Sequence, residues 1–385
     1  MFERIFLIIL DSLGVGEAVD AVKFGDEGAN TLYHIVEKGN YHLDILERLG
    51  FLNLVGKNAG RTIGYHTIMT PENLAKDTLN GHYEFMGLIL DKPFQTYPNG
   101  FPLELISEIQ KITGREVIGN VVASGTEIIE ELGEMHMKTG ALIIYTSADS
   151  VLQVAAHESI IPPQELHEIC KKISDIVLSE KYKIGRVIAR PFVGKPGDFT
   201  RTSRRKDITA IPQYNYLDLL YENSIETIAI GKIGDIFAKK GINKSIKTTS
   251  NIDGMMKLID VAKSSFKGLC FANLNDFDTL YGHRRDKDGY LKSLEEFNYY
   301  LPIFLNRLTK KDLVIFAADH GNDPTFKGTD HTRENVPLVI YSKNFKESGT
   351  LPIRNTFADV GASIVDNFGL QNNINVGTSF MNELK

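Results

Sequence analysis

The chain has 385 residues, which is enough for two domains or for one large core with an insertion. Hydrophobic residues make up 42% and charged residues 24% of the sequence, as in an ordinary soluble globular protein. The net charge of −6 argues against a nucleic acid or an anionic membrane as the main partner. Cys170 and Cys270 are too few for a disulfide framework, so we expect buried thiols and a cytoplasmic protein.

The first segment, Arg4–Leu10, predicts a fully buried parallel strand, because it is almost uniformly apolar. It is too short to span a bilayer and is not followed by a cleavage site, so we expect neither an anchor nor a signal peptide. Asp11 follows directly, at the strand end where open α/β sheets bind ligands. Taken alone, Asp11 could equally be a helix N-cap.

Thr78 begins a second informative segment, which is polar and turn-rich and leads into the apolar run Phe85–Leu88. A threonine in this position usually caps a helix. The alternative is a nucleophilic hydroxyl, which needs a metal ion or a base to activate it. This segment alone does not decide between the two.

An inserted domain is predicted from the shift in composition at Asp91–Pro102, which contains three prolines and a glycine. We predict strands at 141–145 and 186–189, and mainly helix over 153–182. A basic loop, 195–206, precedes Pro212. The predicted boundaries are 94–211 for an inserted α+β cap domain and 1–93 with 212–385 for the catalytic core.

The parallel-strand pattern then resumes, with helices between the strands. The predicted strands are 227–230, 268–274, 313–318 and 337–341. The clearest helix is 291–308, with an expected kink at Pro302. The predicted fold class is therefore α/β, with a mostly parallel sheet flanked by helices.

Acidic residues and histidines follow these strands and predict a metal site at one edge of the sheet. They are Asp11, Asp278 with His283, Asp319 with His320, and His331. Three carboxylates and three imidazoles exceed what one tetrahedral zinc needs, and they suit two ions. Without a thiolate, such a set favours Mn²⁺, Mg²⁺ or Zn²⁺. The alternative is that Asp319 caps a turn and the histidines are solvated. The remaining histidines that we assessed have no comparable Asp partner and are interpreted as structural or solvated: His34, His42, His66, His136, His157 and His167.

Basic residues suggest a phosphate-binding role. Arg186, Arg201 and Lys232 could bind phosphate oxygens, although a solvated face is the alternative. We interpret Arg204, Arg205 and Lys206 as solvated. Two metal ions, a hydroxyl and a phosphate clamp together indicate phosphoryl transfer.

Motifs over nearly the whole chain resemble those of the phosphopentomutase family, in the alkaline phosphatase superfamily. The segments that carry the resemblance are ILDSLGVGEA, AKDTLNGHYEFMG, YTSADSVLQVAAHE, GRVIARPF, FTRT, DFDTLYGHRRD, AADHGNDPTFKGTDHTREN and TSFMNELK. The resemblance implies an alkaline phosphatase-like core with a cap that binds the substrate. Leu13, Asn80 and Tyr83 depart from the usual family pattern, and none of them is an expected ligand.

The resemblance also implies residue roles. Thr78 would be the phosphorylated nucleophile. Asp11, Asp319 and His320 would hold one metal ion, and Asp278, His283 and His331 the other. The residues that match the family's sugar-phosphate positions are Ser147, Asp149, Val151, Arg186, Ile188, Arg201 and Lys232.

The activity implied by the resemblance is the interconversion of ribose 1-phosphate, or 2-deoxyribose 1-phosphate, with the 5-phosphate through a 1,5-bisphosphate. The expected cofactors are two Mn²⁺ ions, with Mg²⁺ or Zn²⁺ less favoured, and a bisphosphorylated sugar as activator. Pentose phosphates are the expected partners, and we expect no nucleic acid, membrane or obligate protein partner. A phosphatase or phosphodiesterase on the same core, and a metal-binding protein without activity, are the two competing interpretations.

Overall fold

A computed structural model of the chain describes every residue except Ala59, Asp91, Pro93, Ala148 and Glu180. The chain divides into two units. The first contains Met1–Asp91 and Pro212–Lys385, and the second contains Lys92–Ile211. The predicted core boundary at residue 93 lies outside the described residues.

The strands are numbered in chain order. They are β1 (Arg4–Leu10), β2 (Tyr65–Met69), β3 (Val117–Val122), β4 (Leu142–Thr146), β5 (Val151–His157), β6 (Arg186–Lys195), β7 (Asp198–Arg201), β8 (Lys206–Thr209), β9 (Glu226–Ile230), β10 (Lys244–Ile246), β11 (Gly268–Leu274), β12 (Asp312–Ala317), β13 (Val336–Tyr341) and β14 (Gly349–Thr350).

The helices are numbered in the same way. They are α1 (Thr31–Val36), α2 (Asp44–Leu49), α3 (Thr78–Phe85), α4 (Leu103–Thr113), α5 (Glu127–Thr139), α6 (Pro163–Val177), α7 (Tyr216–Glu222), α8 (Ile233–Ile236), α9 (Asn251–Lys263), α10 (Lys287–Arg307) and α11 (Ala358–Asn367). Short 3₁₀ turns lie at Ala21–Phe24, Leu52–Val55 and Met381–Glu383, and a π-helical turn lies at Phe277–Gly282.

The first unit contains one eight-stranded sheet, ordered β10-β9-β11-β1-β12-β13-β2-β14. Its centre, β11-β1-β12, is parallel, and β1 is buried along its whole length. The predicted α/β class with a mostly parallel sheet flanked by helices is confirmed. One strand differs from the prediction, because β13 is antiparallel to both of its neighbours. No helix lies between β12 and β13 among the described residues, so the chain returns without a crossover.

The second unit contains a six-stranded sheet, ordered β3-β4-β5-β6-β7, with β8 also paired to β6. Apolar residues of α4 and α6 pack on one face, and α5 covers part of the other. The prediction of helix from residue 153 is wrong at its start, because β5 is a fully buried strand. Gln153 and His157 are the polar residues of this otherwise apolar strand, so the alternation that would distinguish a strand from a helix is weak.

Both cysteines are buried and unpaired, as predicted. Burial raises the pKa of the Cys170 thiol to about 12, so this thiol is not poised for reaction. Within the described part of the chain, none of the helices combines the length and apolar character needed to cross a membrane.

Glu84 anchors α3 to the surrounding loops. Its buried carboxylate accepts hydrogen bonds from the backbone N–H groups of Glu72, Asn73 and Phe357. It also accepts a hydrogen bond from the Thr356 hydroxyl at 2.9 Å. A buried carboxylate with this many donors is a structural anchor.

We therefore expect Glu84→Ala to lower the free energy of unfolding by about 3–5 kcal/mol, because it leaves several buried donors without an acceptor. Chemical denaturation measures the effect. The control is Glu27→Ala, which removes an exposed carboxylate and should change stability by less than about 0.5 kcal/mol. Equal stability of the two variants would contradict the anchoring role.

Candidate metal centre and nucleophile

The metal-ligand candidates lie at the carboxyl ends of three adjacent parallel strands. Asp11 follows β1, Asp278 lies in the π-helical turn after β11, and Asp319 with His320 follows β12. Carboxyl ends of neighbouring parallel strands meet at one edge of a sheet, so these side chains converge. His283 follows the π-helical turn, and His331 lies in the loop before β13.

Asp278, His283 and His331 form the first ligand cluster. The two imidazole Nε2 atoms lie 3.1 Å apart. His283 Nε2 lies 3.3 Å from Asp278 Oδ2, and His331 Nε2 lies 3.4 Å from Asp278 Oδ1. These donor atoms therefore face a common point.

His320 is the centre of the second cluster. Its Nε2 lies 3.3 Å from Asp319 Oδ2 and 3.7 Å from Asp11 Oδ1. Asp278 belongs here too, since potential ligand atoms of Asp11, Asp278 and His320 lie within 4.8 Å of one another. The two clusters thus adjoin through Asp278, an arrangement that the sequence analysis did not anticipate.

Thr78 lies beside this second cluster, with its Oγ1 3.1 Å from His320 Nε2. It is the first residue of α3 and is not the helix cap. Asp77 is the N-cap, and its carboxylate accepts hydrogen bonds from the N–H groups of Leu79 and Asn80. Gly81 lets α3 approach the end of β12, because a Cβ there would overlap the carbonyl oxygen of Asp319.

The burial and the hydrogen-bond partners of the carboxylates indicate whether the cluster can bind cations. Asp11 and Asp319 are buried, at 0% and 2% exposure. Among the described residues, neither Asp11 Oδ1 nor Asp319 Oδ2 has a hydrogen-bond donor. These are the oxygens nearest to His320 Nε2. Buried carboxylate oxygens without donors are unfavourable unless a cation binds them, so the residues fit a metal centre.

The pKa values support the same conclusion. Burial, together with the charge of Asp319, raises the pKa of Asp11 well above its usual value. Burial also raises the pKa of Asp278, but His331 and His283 outweigh it and hold that pKa well below its usual value. Burial lowers the pKa of His320 to about 4, so this imidazole is neutral near pH 7, as a metal ligand must be.

Two residues that the sequence analysis missed, Asn273 and His82, connect the ligands to α3. Asn273 Nδ2 donates to Asp11 Oδ2 at 2.9 Å and lies 3.3 Å from His82 Nε2. His82 Nδ1 lies 2.8 Å from the Thr78 carbonyl oxygen and 3.3 Å from Asp319 Oδ2. The sequence signal that could have revealed His82 is its spacing from Thr78, because residues one helical turn apart lie on the same face of a helix.

Asn322 and Arg285, also missed, hold Asp278 from the other side. Asn322 Nδ2 donates to Asp278 Oδ1 at 2.8 Å, and Arg285 donates to Asn322 Oδ1. Arg285 also donates to the carbonyl oxygens of Gly328 and Asp330. It therefore ties the loop that carries His331 to the turn that carries His283. Such partners orient metal ligands and tune their basicity.

One of the histidines interpreted as structural or solvated has an Asp partner that the sequence did not reveal. We predicted that His34 has no Asp partner, but its Nδ1 lies 2.5 Å from Asp323 Oδ2. Asp323 Oδ2 also accepts a hydrogen bond from the Asn30 N–H. The pair joins two segments distant in sequence, which is why local spacing did not reveal it.

The remaining candidates fall into two places. Lys232 follows β9 in the first unit, with its Nζ 3.9 Å from Asp11 Oδ2. In the second unit, Val151 pairs with Arg186, and Ile188 lies two residues further along β6. Ser147 and Asp149 lie just before β5, and Arg201 ends β7.

We expect Asp278→Asn to weaken Mn²⁺ binding by roughly 100-fold or more, because Asp278 adjoins both clusters and the substitution removes its charge. Metal content after dialysis, measured by mass spectrometry, reports the loss. Asp276→Asn is the matched control: it lies two residues away and its carboxylate accepts a hydrogen bond from the Asn251 N–H. Equal metal content in both variants would contradict the assignment.

Comparison with known proteins gives the family. The family described as the Metalloenzyme superfamily matches residues 3–372. The PH0037 protein from Pyrococcus horikoshii is 14% identical, with a TM-score of 0.50 over 97% of this chain and 99% of that chain. A phosphoglycerate mutase from Leishmania mexicana is 12% identical, with a TM-score of 0.49 over 98% and 97% of the two chains. Because the family match extends over nearly its whole length, the chain belongs to the Metalloenzyme superfamily.

Proposed function

We propose that this protein is a phosphopentomutase that interconverts ribose 1-phosphate, or 2-deoxyribose 1-phosphate, with the 5-phosphate through phosphorylated Thr78. The proposal rests mainly on the position of the Thr78 hydroxyl, which lies 3.1 Å from His320 Nε2. This hydroxyl also lies beside buried carboxylates whose charge is best compensated by bound cations. The motifs of the second unit support a pentose phosphate as the substrate.

In this proposal, Asp11, Asp319 and His320 hold one divalent ion, and Asp278, His283 and His331 hold the other. Mn²⁺ is our choice, because carboxylate and imidazole ligands without a thiolate suit it. When bound, such ions neutralise charge on a transferring phosphoryl group and lower the pKa of a nearby hydroxyl.

The first half-reaction uses phosphorylated Thr78. The 5-hydroxyl of ribose 1-phosphate attacks the phosphorus, the bond from phosphorus to Thr78 Oγ1 breaks, and the hydroxyl proton passes to the Thr78 oxygen. The product is ribose 1,5-bisphosphate. Thr78 is able to carry the phosphoryl group because Asp77, and not the Thr78 hydroxyl, caps α3.

The second half-reaction reverses the chemistry at the other end of the sugar. After the bisphosphate reorients, Thr78 Oγ1 attacks the phosphorus at position 1, and its proton passes to the departing O1. Ribose 5-phosphate leaves, and Thr78 is phosphorylated again. An enzyme that loses its phosphoryl group would be primed by a bisphosphorylated sugar.

The second unit contributes the sugar-phosphate residues in this proposal. Arg186 and Arg201 bind the phosphate that does not react, since guanidinium groups match its oxygens. Asp149 accepts hydrogen bonds from sugar hydroxyls, with Ser147, Val151 and Ile188 around it. Lys232 of the first unit adds a positive charge. The setting we propose is cytoplasmic nucleoside breakdown.

Phosphorus NMR tests the reaction directly. Ribose 1-phosphate is incubated with the enzyme, Mn²⁺ and a trace of ribose 1,5-bisphosphate. We expect the signal to move to ribose 5-phosphate with little inorganic phosphate. Accumulation of inorganic phosphate would contradict the mutase and identify a phosphatase, and no change at all would contradict both.

Thr78→Ala should reduce mutase turnover by roughly 10³-fold or more, because it removes the group that carries the phosphoryl. Thr78→Ser is the matched control, since it keeps a hydroxyl and should retain measurable turnover. Unchanged circular dichroism would show that Thr78→Ala is folded. A folded Thr78→Ala enzyme that still isomerises pentose phosphates would exclude Thr78 as the nucleophile.

Arg201→Ala should raise the KM for ribose 5-phosphate roughly 10–100-fold, the value of one or two charge-assisted hydrogen bonds, with metal content unchanged. Steady-state kinetics and metal analysis on the same sample measure both. Loss of metal with an unchanged KM would mean that Arg201 has a structural role.

A further inference from the structure

One polar face in the second unit contains more positive charge than its carboxylates neutralise. Arg186, Ile188 and Arg190 alternate along β6 and therefore share one face of the sheet. Gln153 of β5 and Asp207 of β8 both lie opposite Ile188. The sequence analysis included Arg186 and Ile188 but not Arg190.

Among the described residues, Asp207 is the carboxylate on this face that accepts hydrogen bonds from the arginines. Arg205 donates the two shortest of these bonds. Arg205 Nε and Nη2 donate to its two oxygens at 2.5 and 2.6 Å, while Arg186 Nη1 lies 3.4 Å away. We interpreted Arg205 as solvated, and its side chain is exposed, with this bidentate pair at the surface. Both oxygens of Asp207 are therefore already paired, and its charge does not neutralise a further cation.

Arg190 and Arg201 are left without a carboxylate partner within the described residues. The Nε of Arg190 donates to the neutral Gln153 Oε1 at 3.0 Å. Burial, together with the charges of Arg205 and Arg201, lowers the pKa of the Arg190 guanidinium to about 10. Neighbouring cations that lack counter-charges are typical of an anion site.

Tyr145 supplies an independent observation. Its side chain is fully buried at the end of β4, packed with Phe192 and Phe199. Its hydroxyl has no hydrogen-bond partner among the described residues. A buried tyrosine hydroxyl normally finds a partner, so this one is available to a ligand.

Gly125 shows that the hydroxyl and a guanidinium share one space. A Cβ on Gly125 would lie 2.5 Å from the Tyr145 hydroxyl oxygen and 3.1 Å from Arg201 Nη1. Any side chain there would therefore occupy the region next to both donors. Glycine keeps a side chain out of the space beside the two donors.

We propose that Tyr145 and Arg190 are specificity-determining residues that extend the phosphate subsite assigned above to Arg186 and Arg201, and that this subsite takes a phosphate monoester dianion. The Tyr145 hydroxyl and the guanidinium groups donate to phosphate oxygens, which accept several such bonds at once. The inference deepens the proposed function and rests on it, because the ligand is the phosphate of the sugar substrate that does not react.

Tyr145→Phe removes one oxygen and keeps the packed ring. We expect the KM for ribose 5-phosphate to rise roughly 5–20-fold, with kcat changed less than about twofold. Arg190→Gln should raise KM further, and Arg190→Lys should restore part of the loss. Arg204→Gln is the matched control, since this exposed arginine pairs with Glu158 and its loss should leave KM unchanged. An unchanged KM in Tyr145→Phe would overturn the role of Tyr145.

A binding measurement separates failure of the subsite from failure of the proposed function. Inorganic phosphate is titrated calorimetrically into the full-length chain after EDTA treatment, which removes the contribution of the metal centre. We expect saturable binding that Tyr145→Phe and Arg190→Gln weaken and Arg204→Gln does not. If the wild type binds phosphate but lacks mutase activity, the subsite stands and the proposed function fails. If phosphate does not bind, or all variants bind it equally, the subsite is wrong.

Discussion

The site depends on two buried carboxylate oxygens, Asp11 Oδ1 and Asp319 Oδ2, for which the described part of the chain supplies no well-formed hydrogen-bond donor. Burial of such oxygens is unfavourable, and the parallel strands β1 and β12 bring them together. Divalent cations are the natural compensation, which is consistent with membership of the Metalloenzyme superfamily. The fold thus concentrates negative charge at one point, and the neighbouring imidazoles complete two ligand clusters around it.

The residues behind the ligands make this arrangement specific. His82 lies between Asp319 and the carbonyl group of Thr78, so the helix that presents the hydroxyl packs against the ligand set. Asn322 donates a hydrogen bond to Asp278, and Arg285 donates one to the loop that contains His331. In the proposed function, a hydroxyl and a ligand cluster held in one network need little rearrangement before phosphoryl transfer.

Much of the fold and the convergence of the candidate ligands could be predicted from the sequence, because buried parallel strands are continuous apolar runs and a charge at their end is conspicuous. Segments β1 and β11 coincide with the predicted strands for this reason. The direction of β13 could not be predicted, since direction depends on the connection and not on the strand's composition. Asn273 and His82 were missed because their role depends on contacts between segments distant in sequence. Arg190 was missed because the net charge of its surroundings is a property of the folded sheet.

The most direct test of the central claim is to locate the metal ions. Crystals of the Mn²⁺-loaded protein, measured at the manganese absorption edge, give an anomalous difference map. The account predicts two peaks, one among Asp278, His283 and His331 and one among Asp11, Asp319 and His320, with the Thr78 oxygen beside the second. A map without peaks at these residues, in protein saturated with Mn²⁺, would contradict the account.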